Sequence, residues 1–190
     1  MLFRSTFHHR GTDVPVVLDL MIHDIDLILS FVNSPVTDIK ASGVGILTPS
    51  IDIANARIEF ESGAIANVTS SRISLKQERK IRFFQKDSYI TLDFQAKNVR
   101  IIKKSADIMK YLPQILMGST DVKPEQLVDM EDYDCSDSPK DALTMELESW
   151  VAAIVNNTKP IVDGVAGTRA LEIAMKIIGI INEQKNKFKV

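Results

Sequence analysis

The sequence predicts an α+β domain, with helices packed on one face of an open, mainly antiparallel sheet of about six strands. Two patterns lead to this prediction. Apolar residues recur at helical spacing in residues 16–32 and again after residue 138, whereas residues 36–104 alternate between apolar and polar side chains. The predicted strands are joined by short connections, which favour antiparallel neighbours because parallel strands need long crossovers. Helices grouped before and after one sheet are typical of the α+β class.

The first helix is predicted to span about 18 residues and to end at Val32. Asp13 can cap it, Pro15 suits its first turn, and residues 33–35 (Asn-Ser-Pro) form a stop signal. Apolar residues point in nearly every direction around this helix. We therefore expect it to be buried rather than to lie on a surface.

The strands are predicted from alternation and from the turns between them. The clearest case is residues 54–60, where Ala, Ile and Phe fall on one side while Asn55, Arg57 and Glu59 fall on the other. The acidic residues 129–137 are interpreted as a solvated connection. The six predicted strands cover residues 36–46, 54–60, 65–74, 80–86, 89–94 and 99–103.

Two helices are predicted near the end of the chain. Ser138 and Pro139 have the form of a capping box with Pro at the first helical position, and the periodic run then continues to Val155. Trp150 lies at helical spacing with other apolar residues, so we expect it in the core. The last helix is predicted over residues 168–184.

Composition excludes several classes of function. The 190 residues include 23 basic and 25 acidic side chains, and a net charge of −2 argues against nucleic acid or an anionic membrane as the main partner. No apolar run reaches the roughly 18 residues that span a bilayer, and no signal-peptide pattern is present. The lone Cys135 cannot form an internal disulfide. We expect a single domain, residues 1–190, in the cytoplasm.

Four polar side chains on the first helix share one narrow stripe. At 100° per residue, and with Asp19 as origin, His23 lies at about 40°, Asp26 at about −20° and Ser30 at about +20°. An Asp one turn before a His can accept its ring N–H and raise the basicity of the other nitrogen, which suits a general base. The stripe could instead be the solvated edge of a core helix. Spacing alone favours that structural interpretation.

Other candidate sites are weaker. His8 and His9 could join a metal site, but no second ligand cluster accompanies them, so no metal is predicted. Gly43 and Gly45 lack the third glycine of a dinucleotide-binding turn, so no cofactor-binding residue is assigned. Arg72 lies on a predicted strand and could meet an anionic substrate, although exposed arginines are common on sheets.

Residues 17–26 (VLDLMIHDID) resemble the D-x-x-x-H signature helix of the glucose–fructose oxidoreductase, inositol dehydrogenase and rhizopine catabolism (Gfo/Idh/MocA) family. The similarity continues in the loop at residues 10–13, the strand pair at 54–66, and residues 146–154 and 163–174. It covers essentially the whole chain and corresponds to the C-terminal domain of that family.

The resemblance implies an NAD(P)-dependent dehydrogenase acting on a sugar or cyclitol hydroxyl, of which this chain is the second half. His23 would be the general base that takes the hydroxyl proton, and Asp19 would orient it. The Rossmann domain of the family, with its G-x-G-x-x-G turn and Glu-Lys-Pro motif, is missing from this sequence. NAD or NADP is therefore expected only in the full-length enzyme, and the isolated chain is expected to be inactive.

The loop at residues 10–13 and the signature helix resemble members of that family that act on nucleotide-linked amino sugars such as UDP-N-acetylglucosamine. On this resemblance Arg10, Thr12 and Asp13 are candidate substrate-binding residues. Arg72 is a further candidate.

Two other functions remain open at this stage. The first is a non-catalytic assembly module, because the open sheet face commonly forms the subunit interface in this family and alternating strands leave one face uncovered. We expect a homo-oligomer to form through that face. The second is a metal-dependent hydrolase using His8, His9 and His23, which has the least support.

Overall fold

The computed structural model describes residues 1–6, 13–117, 123–137 and 140–187. The strands are β1 Leu2–Arg4, β2 Val36–Val44, β3 Ile53–Phe60, β4 Ile65–Ser71, β5 Glu78–Phe84, β6 Ser88–Asp93, β7 Asn98–Lys104 and β8 Val128–Asp134. The α-helices are α1 Ile22–Phe31, α2 Ile108–Leu116, α3 Ala142–Val155 and α4 Gly164–Lys187. A π-helical segment, Val17–Met21, leads directly into α1, and a 3-10 turn, Pro124–Gln126, precedes β8.

The eight strands form one open mixed sheet in the order β2-β3-β4-β1-β5-β6-β7-β8. The predicted α+β class is therefore confirmed, but the expected number of about six strands was too low. The two additional strands are β1 and β8. Three residues are too few for β1 to show a period in the sequence, and β1 also pairs parallel with β4, placing Leu2 beside Thr69.

The acidic segment near residue 131 was wrongly interpreted as a solvated connection. It forms β8, which pairs antiparallel with β7. Arg100 Nε lies 2.7 Å from Asp132 Oδ1, and Lys103 Nζ lies 2.6 Å from Glu131 Oε1. The acidic strand thus lies beside a basic one, and such opposite-charge pairs across strands favour pairing.

The chain divides into two compact units. Unit 1 comprises Met1–Arg79 and Pro139–Val190, and unit 2 comprises Lys80–Ser138. Unit 2 holds most of β5 together with the antiparallel ladder of β6, β7 and β8. The assignment of residues 1–190 to a single domain stays a prediction.

The core of unit 1 lies between its strands and two helices. Along β3, the side chains of Ala54, Ala56, Ile58 and Phe60 are buried, which confirms the predicted alternation. The helices α1 and α4 pack on this side of the sheet with other fully buried side chains. The largest of these are Met21, Ile25, Ile177 and Ile181.

The first helix begins without the predicted side-chain cap. Val16 precedes the π-helical segment and no side chain caps it, so the expected role of Asp13 was wrong. Hydrogen bonds between the backbone near the helix start and other parts of the chain hold this end in place. The N–H of Val16 donates to the carbonyl of Ile51 at 2.8 Å, and the guanidinium of Arg72 donates to the carbonyl of Val14.

The two helices near the end of the chain differ from their predictions in their starts and in the exposure of Trp150. Asp141 caps α3 by accepting the N–H of Thr144 at 2.8 Å, whereas Ser138 and Pro139 lie outside the described residues. Trp150 is 56% exposed, so its expected place in the core was wrong. The helix α4 begins at Gly164, four residues before its predicted start.

Among the described residues, no helix is both long enough and apolar enough to cross a membrane.

Candidate functional site

The proposed site lies at the start of the first helix, where the backbone changes from π to α geometry. The residues Val17, Met21, Ile25 and Ile28 are buried on this helix, which anchors it in the core of unit 1. Short π segments inside α-helices occur frequently at functional sites. This change of helix type was not visible in the sequence.

Asp19 and His23 are exposed residues on a helix whose opposite side is buried. The side chain of Asp19 is 41% exposed, and His23 is also exposed. Four residues make close to one turn of helix, so the two side chains leave the helix on the same side. Because both residues are exposed, the carboxylate and the imidazole are each accessible from solvent. In the described part of the chain no hydrogen bond joins these two side chains.

The other two members of the predicted stripe differ from this pair. Asp26 is half-buried, and Ser30 is exposed. The hydroxyl of Ser30 donates to the carbonyl of Leu27 at 2.7 Å, a local bond within the helix. The exposed acid and the exposed imidazole therefore both lie at the N-terminal end of the stripe.

Arg72 connects the first helix to the rest of unit 1. It follows the last residue of β4 and is only 5% exposed. Its Nη2 atom lies 3.8 Å from Asp19 Oδ2 and donates to the carbonyl of Val14, while its Nε atom lies 3.9 Å from Asp52 Oδ1. Arg72 is thus a buried positive charge behind the solvent-facing carboxylate of Asp19.

Asp52 is a fully buried acid that sequence analysis did not single out. Its Oδ2 atom accepts the N–H groups of Ile46, Leu47 and Thr48 at 2.7–2.9 Å, and Oδ1 accepts the Thr48 hydroxyl at 2.7 Å. Burial raises the pKa of this carboxyl, but the hydrogen bonds from Thr48, Ile46 and Leu47 outweigh it and hold the pKa at about 2. Asp52 therefore remains charged beside Arg72.

Asp24, next to His23, is a second buried acid that the sequence analysis missed. It is fully buried, and its Oδ1 atom lies 3.3 Å from Arg79 Nη2. The guanidinium carbon of Arg79 lies 5.3 Å from the centre of the Phe3 ring. Burial raises the pKa of Asp24 to about 6, against the opposing charges of Arg79 and the N-terminal amino group.

One of these missed residues had a signal in the sequence. At 100° per residue Asp24 points well away from the Asp19–His23 stripe and into the apolar side of the helix, where a charge needs a partner. The sequence could have shown that Asp24 is paired, but not with which residue, because Arg79 is 55 positions away.

The predicted substrate-binding residues have different outcomes. Arg10 and Thr12 lie outside the described residues. Asp13 is exposed in the turn before the helix, and Arg72 is brought next to Asp19. Within the described ranges no group of three or more His, Cys, Asp or Glu residues could hold a metal ion, and His8 and His9 lie outside those ranges.

Gly43 and Gly45, which were considered for a dinucleotide-binding turn, are closely surrounded by the rest of the chain. A Cβ atom at Gly43 would lie 2.9 Å from a side-chain carbon of Ile51, and one at Gly45 would collide with the carbonyl oxygen of Ser50. These glycines make room for the chain itself.

Comparison with known proteins identifies the relatives of this chain. Residues 4–90 match the GFO/IDH/MocA C-terminal domain. A curated relative, the UDP-N-acetylglucosamine 3-dehydrogenase of Acidithiobacillus ferrooxidans, is 31% identical over 173 residues, which are 91% of this chain and 50% of that protein. The chain therefore spans about half the length of the curated relative it matches.

Solved structures show the same relationship. The structure of UDP-N-acetylglucosamine 3-dehydrogenase GnnA from Acidithiobacillus ferrooxidans aligns with a TM-score of 0.80 and 30% identity, covering 95% of this chain and 53% of that one. The WlbA dehydrogenase from Bordetella pertussis, in complex with NADH and UDP-GlcNAcA, aligns with a TM-score of 0.63 over 96% of this chain and 52% of its own. At 12% identity, that second similarity shows a shared fold alone.

Proposed function

Because the chain belongs to the GFO/IDH/MocA family through its C-terminal domain, we propose that it is the substrate-binding and catalytic half of an NAD(P)-dependent dehydrogenase. Its substrate would be a hydroxyl of a nucleotide-linked amino sugar, with UDP-N-acetylglucosamine as the first candidate. The observation that supports this proposal best is the exposure of Asp19 and His23 together on the solvent side of a helix whose other side is held in the core.

In the proposed reaction, a ring nitrogen of His23 accepts the proton of the substrate hydroxyl while a hydride leaves the same carbon, which becomes a carbonyl carbon. A nicotinamide dinucleotide supplies the hydride acceptor in such reactions. We assign its binding to a part of the protein corresponding to the half of the curated relative that these residues do not cover. The expectation that the isolated chain binds no dinucleotide stays a prediction.

Asp19 is proposed to orient His23 and to stabilise its protonated form. Its carboxylate faces both solvent and the buried guanidinium of Arg72, which holds its position. Arg10, Thr12 and Asp13 are kept as proposed substrate-binding residues. Arg72 is kept with them because it lies within 3.8 Å of Asp19, although only 5% of it is exposed.

The alternative, a non-catalytic assembly module, has less support from the geometry. On the side of β3 that points away from the core, Asn55 donates to the Thr69 hydroxyl at 2.8 Å and Arg57 pairs with Glu59 at 2.8 Å. These polar groups satisfy one another instead of forming an apolar face. A homo-oligomer formed through this open sheet face stays a proposal, and light scattering over a range of concentrations tests it.

The catalytic proposal is tested in a protein that joins the N-terminal half of the Acidithiobacillus ferrooxidans enzyme to residues 1–190. We expect reduced nicotinamide to form when UDP-N-acetylglucosamine is added. Replacement of His23 by Ala should lower turnover by about 10²- to 10⁴-fold, the usual loss for a general base. Dinucleotide affinity should stay unchanged.

Ser30→Ala is the matched control, because Ser30 is exposed on the same helix and bonds only to Leu27. It should turn over like the parent protein. A His23→Ala variant with the turnover of this control would remove His23 from the mechanism. A parent protein that binds UDP-N-acetylglucosamine but never oxidises it would contradict the proposed reaction.

A further inference from the structure

Among the described residues, the helix α3 exposes an apolar stripe to solvent. Ala153 is its one buried residue. Seven large apolar side chains on α3 are more than half exposed, and five of them form the stripe: Leu143, Leu147, Trp150, Val151 and Ile154. Single exposed apolar residues are ordinary on a protein surface, but a cluster of this size indicates an interaction site.

These five side chains point in a common direction. At 100° per residue they fall within an arc of about 100°, along a helix about 21 Å long. An apolar stripe of that width is what a helix normally packs against a core. On α3 this stripe faces solvent instead, because no element of unit 1 covers it.

We infer that the α3 stripe is the surface on which the dinucleotide-binding half of the protein docks. This inference rests on the proposed function, which requires such a half. The chain covers 50% of its curated relative, so the other half of that relative has no counterpart among these 190 residues and is the candidate occupant. A helix face of this kind is the seat that a second domain of one chain would use.

The position of the proposed catalytic residues supports this occupant. Hydride transfer requires the nicotinamide to be held rigidly against the substrate near Asp19 and His23, because small displacements slow such reactions strongly. The cofactor-binding half therefore has to be anchored on unit 1, the unit that contains α1. The α3 stripe lies in unit 1 as well, and that unit has most of its exposed large apolar side chains between Leu143 and Met175.

A second copy of this chain fits the observations less well. If α3 paired with the α3 helix of another copy, the cofactor-binding half would have to be seated on surfaces such as the outer side of β3. That side carries Asn55, Arg57 and Glu59, which are already bonded to their neighbours. The polar sheet face gives a rigid domain contact little apolar area to bury.

Trp150 provides a direct test, because it is the single tryptophan of the chain and lies on the stripe. The 190-residue chain is titrated with the separate N-terminal half of the Acidithiobacillus ferrooxidans enzyme, in which any tryptophan is replaced by phenylalanine. We expect a saturable shift of Trp150 emission to shorter wavelength and protection from acrylamide quenching. Replacement of Leu147 by Glu should weaken this binding by on the order of tenfold or more.

Leu75→Glu is the matched control, because Leu75 is 98% exposed and lies outside α3. It should bind like the parent chain. A complex seen by sedimentation while Trp150 stays fully quenchable would overturn the inference, as would the absence of any complex. Emission that depends on the concentration of the chain alone would assign the stripe to a second copy.

The same titration separates the two proposals. Protection of Trp150 without oxidation of UDP-N-acetylglucosamine would contradict the proposed reaction and leave the docking surface standing. Oxidation of this substrate by a complex in which acrylamide still quenches Trp150 would contradict the docking surface and leave the proposed reaction standing.

Discussion

The helices α1 and α3 are both rich in apolar residues, yet their environments are opposite. The first buries Ile25 and Ile28 in the core of unit 1, while the second buries only Ala153. The apolar character of a helix thus predicts that something covers it, but not what covers it. For α1 the cover is the sheet and α4. For α3 we assign the cover to a part of the protein outside this chain.

The largest expected effect of a single substitution is at the core side of α1. Ile25→Ala removes a fully buried side chain from between the sheet and α4, and should lower the free energy of unfolding by about 2–5 kcal/mol. Urea denaturation of the chain measures this loss. A loss below 1 kcal/mol would mean that α1 is not packed as described.

The buried side of α1 also carries Asp24, which should make the free energy of unfolding depend on pH. Its pKa is raised from 3.8 to about 6 by burial, so the folded state holds this proton more tightly than the unfolded state does. The stabilising contribution of the protonated group is complete below about pH 4 and is lost as the pH rises through about 6. The cost of ionisation at neutral pH is about 3 kcal/mol.

Asp24→Asn should remove this dependence. Denaturation in urea at several pH values between 4 and 7 should show that the stability difference between variant and parent changes by up to about 3 kcal/mol across that range. Asp38→Asn is the control, because Asp38 is half exposed and pairs only with Lys40. Equal pH profiles for Asp24→Asn and the parent chain would show that Asp24 is not a buried acid.

Asp52 should give the opposite sign. Its pKa is lowered from 3.8 to about 2, because hydrogen bonds to Thr48, Ile46 and Leu47 outweigh the effect of burial. Its contribution of roughly 2 kcal/mol is present above about pH 4 and is lost as the pH falls through about 2. Asp52→Asn should therefore lower stability at neutral pH and flatten the acid limb of the profile. An unchanged acid limb would contradict the hydrogen-bonded loop.

Local patterns predicted much of unit 1. The period of β3 placed Ala54, Ala56 and Ile58 in the core, and the apolar run after Pro15 predicted a buried helix. The strand β8 was missed because its pairing depends on the basic residues of β7, some 30 positions away. Charge complementarity between distant segments leaves no period in either segment.

At the candidate site, spacing brought Asp19 and His23 to one side of the helix but could not reveal their surroundings. The contacts of Asp19 with Arg72, and of Arg72 with Asp52, join residues 20–53 positions apart. The exposure of Trp150 could not be predicted for a different reason. The sequence shows that the helix has an apolar face, but a local pattern does not show whether another described segment covers that face.

The smallest expected change in the free energy of unfolding is at Leu147 on α3. It is compared directly with the change at Ile25 on α1. In the isolated chain Leu147 is 53% exposed, so Leu147→Ala removes little buried area and introduces a better helix former. The free energy of unfolding should change by less than about 0.5 kcal/mol. Urea denaturation beside Ile25→Ala checks this directly. If both substitutions cost the same, the α3 stripe is packed within the chain itself, and it could not serve as the docking surface for another half of the protein.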